Sequence, residues 1–124
     1  MPHPSLERFG QFVISNLHDS PYEYARQLCD GELKSPETQN LQERLSQLTP
    51  EQRAAVLECV NASTINGMHS MLFRLMQLWE DDDEFSVIVD GVDVATLSDG
   101  LEGEIFSDSG WIAKFSQLDL NTDA

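Results

Sequence analysis

No lysine or arginine occurs between Arg74 and Lys114. The 124 residues carry 22 acids against 7 bases, a formal charge of −15. Residues 1–74 hold nine acids and six bases, whereas residues 75–124 hold thirteen acids and a single base, Lys114. A surface of that balance repels phosphate backbones and anionic lipid headgroups. It attracts cationic partners over a Debye length of about 8–10 Å. Nucleic acid and membranes are therefore excluded as direct partners, and a basic protein is the partner class the charge favours.

Other absences narrow the class further. There are two cysteines, Cys29 and Cys59, with no CxxC spacing, which excludes a framework of disulfides. Cys29 reads as a small buried hydrophobe on a helix face. Whether the two cysteines pair is open at this level. No stretch approaches the roughly 20 apolar residues of a membrane span, and no basic start followed by an apolar run opens the chain. A cytoplasmic protein is expected. No GxSxG, HExxH, phosphate-cradling glycine loop or Cys/His nucleophile pair occurs.

What is present is a series of helix signals followed by a change of period. Ser5 is expected to cap a first helix whose stripe is Leu6, Phe9, Phe12, Val13 and Leu17. Ser20-Pro21 predicts a fresh start, with Tyr22, Ala25, Leu28 and Cys29 inward and Gly31 as the left-handed stop. Ser35-Pro36-Glu37 predicts a third helix with Leu41, Leu45 and Leu48 inside. Thr49-Pro50-Glu51-Gln52 has the spacing of a capping box and opens a fourth. That helix runs through Leu57 and Val60. A kink or break is expected at residues 63–67, before Met68, Met71, Leu72, Leu75, Met76 and Trp79 continue as the central helix. It is expected to stop at or just before Glu80–Glu84, because acids at a helix C-terminus oppose the macrodipole.

Phe85 to Val89 then alternates, Asp90-Gly91 is a tight-turn dipeptide, and Val92 to Leu97 reads as the returning strand. Ile105-Phe106 offers a third pairing. Trp111, Ile112 and Phe115 make a short amphipathic helix or docked segment, and the end after Leu120 reads as frayed. The fold class expected is α+β, mainly α. It comprises an antiparallel array of four to five helices over about residues 5–80, with a small C-terminal antiparallel hairpin or three-stranded sheet and terminal segment over about 84–120. All of residues 1–124 form a single domain in this reading.

Chemistry-bearing residues are sparse. The acids of 80–104 lack the alternating spacing, glycine and distant glutamate of a calcium loop, so no metal site and no cofactor is expected. His3 and His18 fall near helix ends. His69, on the central helix, is the candidate for an alternative function, a small enzyme or ligand-binding domain with a pocket around it. A hydrogen-bonded structural histidine is the simpler reading. A second alternative is a homodimeric structural subunit joined through the Met/Trp face. Acids supply association rate and selectivity while aromatics supply anchoring energy. The preferred site is therefore an acidic protein-binding surface of Asp81, Asp82, Asp83, Asp90, Asp99, Glu102 and Glu104, with Trp111 as its anchor and no catalytic residue.

The segment Ser98-Asp99-Gly100-Leu101-Glu102-Gly103-Glu104, followed by Gly110-Trp111-Ile112, resembles the closing third of small acidic bacterial proteins. These belong to uncharacterised families, some of which resemble immunity proteins of contact-dependent and polymorphic toxin systems. The resemblance implies a cytosolic, non-enzymatic inhibitor that plugs a cationic toxin by surface complementarity.

Overall fold

The computed structural model describes residues 3–81, 85–118 and 120. Its first half is built on a rod. Helix α1 (Pro4–Val13) passes through a π-helical turn (Ile14–Asp19) into α2 (Ser20–Asp30) without a break. The cap of α1 is His3 rather than Ser5. The His3 Nδ1 accepts from the Ser5 amide at 3.0 Å, and Pro4 fills the first helical position, where its missing N–H costs nothing.

The expected restart at Ser20-Pro21 does not occur. Ser20 is helical (φ −62°, ψ −48°) and its amide reaches back to the Ser15 carbonyl, five residues earlier. A widened turn is one way a helix carries a proline. It also shifts the buried stripe by one position. Four residues after Val13, an α-helix would place Leu17 inside, but the π turn puts His18 there instead. Leu17 is consequently exposed, and Phe12, which precedes the turn, is 65% exposed because α1 buries the face of Leu6, Phe9, Gly10 and Val13. At the far end the Gly31 stop is as expected. Gly31 sits at φ +69°, with its amide on Leu28 and the Glu32 amide on Gln27 at 3.0 Å, the double closure of a Schellman motif.

The third helix is shorter than its sequence suggests. A 3-10 turn (Pro36–Thr38) leads into α3 (Gln39–Leu45). Its inward residue is Gln42, while Leu41 is exposed and Leu45 half-buried. Gln42 Oε1 accepts from the Leu33 amide at 3.1 Å. Its Nε2 donates to the Leu33 carbonyl at 3.0 Å and to Thr38 Oγ1 at 2.9 Å. A buried amide side chain thus satisfies the loop backbone that precedes it.

Helix α4 (Pro50–Asp81) is the axis of the molecule. Its capping box is complete, with the Thr49 amide on Gln52 Oε1 at 2.9 Å and the Gln52 amide on Thr49 Oγ1 at 3.2 Å. Its 32 residues run for about 48 Å and continue through Ser63–Gly67 without the break considered there. Packing overrides the weak local propensity. The π turn and α2 lie along α4, and segments from the last third of the chain cover its other end. Leu57 joins Tyr22, Ala25 and Cys29 in one apolar cluster. Met68, Leu72 and Met76 join Leu6, Phe9, Val13 and Ile14 in the larger one.

Strands β1 (Ile88–Val89) and β2 (Val92–Asp93) pair antiparallel, Val89 opposite Val92. Asp90 (φ +51°) and Gly91 (φ +81°) form the primed turn that Asp-Gly favours. The returning strand is cut short because the Asp93 carboxylate accepts the Ala95 amide at 3.1 Å, starting a 3-10 turn (Val94–Leu97). The third strand considered at Ile105-Phe106 is absent among the described residues. Ile105 ends a second 3-10 turn (Leu101–Ile105) whose Leu101 and Ile105 are buried on α4. Helix α5 (Trp111–Phe115) closes the larger cluster.

Candidate protein-binding face

The acidic residues singled out in the sequence separate into four kinds of environment. Asp81 is exposed in the last turn of α4, and Asp99 is exposed after the first 3-10 turn. Asp82 and Asp83 lie outside the described residues. Asp90 is ion-paired with Arg8 at 3.0 Å, both side chains well exposed, a pairing worth little in water. Glu104 accepts from Ser98 Oγ at 2.7 Å. Glu102 turns inward and buries Oε2 without a partner among the described residues. The expected acidic strip is thus only partly assembled. Asp81, Asp99 and the exposed Asp108 face solvent, and none of the three pairs with a lysine or arginine among the described residues.

Trp111 does not serve as a surface anchor. It is 2% exposed, its ring meets Phe9 edge-on at 5.9 Å, and it lies flat against Gly10. Helix α5 carries the indole into the core because Gly10 leaves no Cβ in its path. The Met/Trp face is occupied in part, with Met71 left exposed. Met68 and Met76 are buried, and Trp79 packs half-buried against the same cluster.

The exposed aromatics are elsewhere. Phe73 on α4 and Phe106 after the second 3-10 turn are each 46% exposed, with His69 between them. The His69 ring is parallel to Phe73 at 6.2 Å and tilted against Phe106 at 6.1 Å. The Phe106 loop is held by close backbone approach, since a Cβ at Gly110 would collide with the Phe106 carbonyl. From His69 a groove of about 510 Å³ runs back along α4 past Asn66, Ile65, Ala62 and Asn61 to Glu58. Those residues recur at helical spacing on one face, and no lysine or arginine lines the groove. Asn61 Oδ1 is buried without a partner among the described residues. Phe106 stands two residues from Glu104 on one side and two from Asp108 on the other.

Phe73 and Phe106 were not among the residues expected from sequence. Phe73 had a usable signal: it falls one position off the Leu72–Met76–Trp79 stripe, so a helix that buries that stripe must expose it. Phe106 had none, because its exposure follows from Ile105 being spent on the core.

Exposed aromatic faces can take up ammonium or guanidinium groups. No carboxylate hydrogen-bonds His69 among the described residues, and no group of three or more His, Cys, Asp or Glu side chains converges as a metal site among them. Cys29 and Cys59 are both free, the first buried and the second exposed. Burial pushes the Cys29 thiol up from its ordinary value. No described helix is long and apolar enough to cross a membrane. A scan against protein-family models, a search of curated proteins and a search of solved structures each gave no significant match.

Proposed function

We propose that the chain is a non-enzymatic protein-binding module that captures a basic partner, in the manner of an immunity-type inhibitor of a cationic toxin. The carrying observation is the α4 groove, which ends in the exposed Phe73–His69–Phe106 cluster, has no cationic lining, and lies beside a chain segment without bases. In this reading the acids of the last third draw the partner in, and the exposed faces of Phe73 and Phe106, on either side of His69, anchor its lysine or arginine side chains. They take the part that Trp111 was expected to play.

The test is retention of proteins from the lysate of the encoding organism on immobilised chain. Wild type is compared with a Phe73→Ser, Phe106→Ser double variant at low and moderate salt. A single basic protein held by wild type at low salt, released by added salt and lost from the double variant supports the reading. Equal retention by both forms reduces it to unspecific charge attraction and overturns it.

A second reading is favoured by one observation. The buried Asn61 Oδ1 has no partner among the described residues and lies where the groove meets a cleft of about 300 Å³ beside Tyr22 and Arg53. A small ligand with a hydrogen-bond donor would satisfy it. Asn61→Leu abolishes ligand uptake if the second reading holds, whereas Phe73→Ser, which touches neither the groove nor the cleft lining, leaves that uptake intact.

A further inference from the structure

We infer that the groove along α4 is a binding site for a linear aliphatic diamine or polyamine, laid lengthwise with one ammonium group at Glu58 and Asn61 and another against His69 and Phe106. The inference rests on the small-ligand reading of Asn61 and gives that ligand its chemistry. From Cys59 to Phe73 the chain carries no Asp, Glu, Lys or Arg, so the Glu58 carboxylate is the one acidic or basic group among the described residues that line the groove. It has no ion-pair partner among the described residues. One turn further along the helix, Asn61 buries Oδ1 without a donor. Two unused acceptors thus stand at the same end of the groove. A primary ammonium group carries three donors and no acceptor, so it can serve the carboxylate and Oδ1 together. A neutral hydroxyl would satisfy Oδ1 and leave the carboxylate charge unmatched.

The middle of the groove is apolar. Ala62 and Ile65 fall on the helical row that joins Glu58 to His69, and Ile65 is held in place by packing on the larger cluster. An alkyl chain laid over them buries apolar surface and leaves no polar group unmet. At the far end the half-exposed Phe106 ring is tilted against His69 at 6.1 Å, and an aromatic face attracts an ammonium group. The helix axis rises about 12 Å from Asn61 to His69 and about 16 Å from Glu58. The groove, at about 510 Å³, has the size of a small-molecule site. Carboxylate, aliphatic wall and aromatic ring therefore follow one another along α4 in the order that a chain with cationic ends and an apolar middle requires. The net charge of −15 raises the local concentration of such a cation over that of a neutral chain.

The test titrates the full chain calorimetrically with three probes of equal length: octamethylenediamine, octylamine and octanediol. Wild type is expected to take up one diamine per chain, about tenfold more tightly than the monoamine and more tightly still than the diol. Glu58→Gln, Asn61→Leu and Phe106→Ser should each weaken the diamine about fivefold or more. Glu43→Gln removes the same charge from the exposed face of α3 and should leave the affinity unchanged. Equal weakening by Glu43→Gln and Glu58→Gln would mean diffuse attraction to an acidic chain and overturns the inference. A diol that binds wild type as tightly as the diamine, and is lost in Asn61→Leu, also overturns it while the small-ligand reading stands. Uptake of none of the three probes overturns both. Should a variant fail to fold, amide chemical shifts of wild type decide: the diamine must move Glu58 to His69 and Phe106, and shifts spread over all the acidic segments contradict the site.

Discussion

Gly10 and Gly67 both lie within helices, and the same substitution is expected to act on them in opposite directions. A Cβ at Gly10 would sit 2.5 Å from Trp111 Cε2 and Nε1, inside contact distance of a ring that has nowhere to move. Gly10→Ala should cost about 1–3 kcal/mol through overpacking. A Cβ at Gly67 meets nothing within 4 Å, so Gly67→Ala should stabilise by about 0.5–1 kcal/mol through helix propensity. Urea denaturation of both variants checks the pair. Two destabilisations would mean that the two glycines do not differ in their surroundings as described. At this scale the sequence was legible where a residue's neighbours lie within a turn or two, as for Gly31. It was not legible for Trp111, whose burial depends on the absence of a side chain about a hundred positions earlier. An exposed anchor and a core tryptophan have the same local sequence.

Among the elements, the capping signals carried the most information. The Thr49–Gln52 box and the Gly31 closure are where the side chains placed them, because caps are local hydrogen bonds that the tertiary fold has little reason to revise. Thr49→Ala should cost about 1 kcal/mol, measured by thermal or chemical denaturation. No loss would mean that α4 begins elsewhere. The Ser20-Pro21 signal has the same composition as a helix start yet lies inside a continuous rod. The π turn that admits the proline also exchanges Leu17 for His18 in the core, which no reading at α-helical period could foresee. The second strand failed for a related reason. Asp93 spends its carboxylate on the Ala95 amide and turns Val94 and Ala95 into the core. The expected fold class, mainly helical with a small antiparallel pair, holds because it rests on the change of period, which survives such local revisions.

Over the whole molecule the charge separates into a paired part and an unpaired one. Arg26 bridges Glu23, Asp30 and Glu32, and Arg53 also reaches Asp30, so two of the seven bases are spent around the end of α2. The hydrogen bond from Arg26 holds the Glu23 carboxyl below the ordinary value of 4.5. A carboxylate with a depressed folded pKa stabilises at pH above its unfolded value and loses that contribution as pH falls through the folded one. Stability should therefore decline as the pH drops below about 4.5, and Glu23→Gln should flatten part of that decline in denaturation curves taken across this range. An unchanged profile would show that the bridge contributes nothing. The last third of the chain has no comparable set of cations, and its legibility was mixed. The excess of acid was plain from composition, but which acids face solvent depended on two 3-10 turns that the sequence did not announce.

The central claim is that this unpaired charge and the Phe73–His69–Phe106 cluster act together on a basic partner. The most direct measurement titrates the captured partner against wild type and against a variant with Asp81→Asn, Asp99→Asn and Asp108→Asn, each at two salt concentrations. The account predicts that neutralisation weakens binding about tenfold or more at low salt and that the salt dependence flattens with it. Affinity and salt dependence both unchanged in the neutralised variant would contradict it.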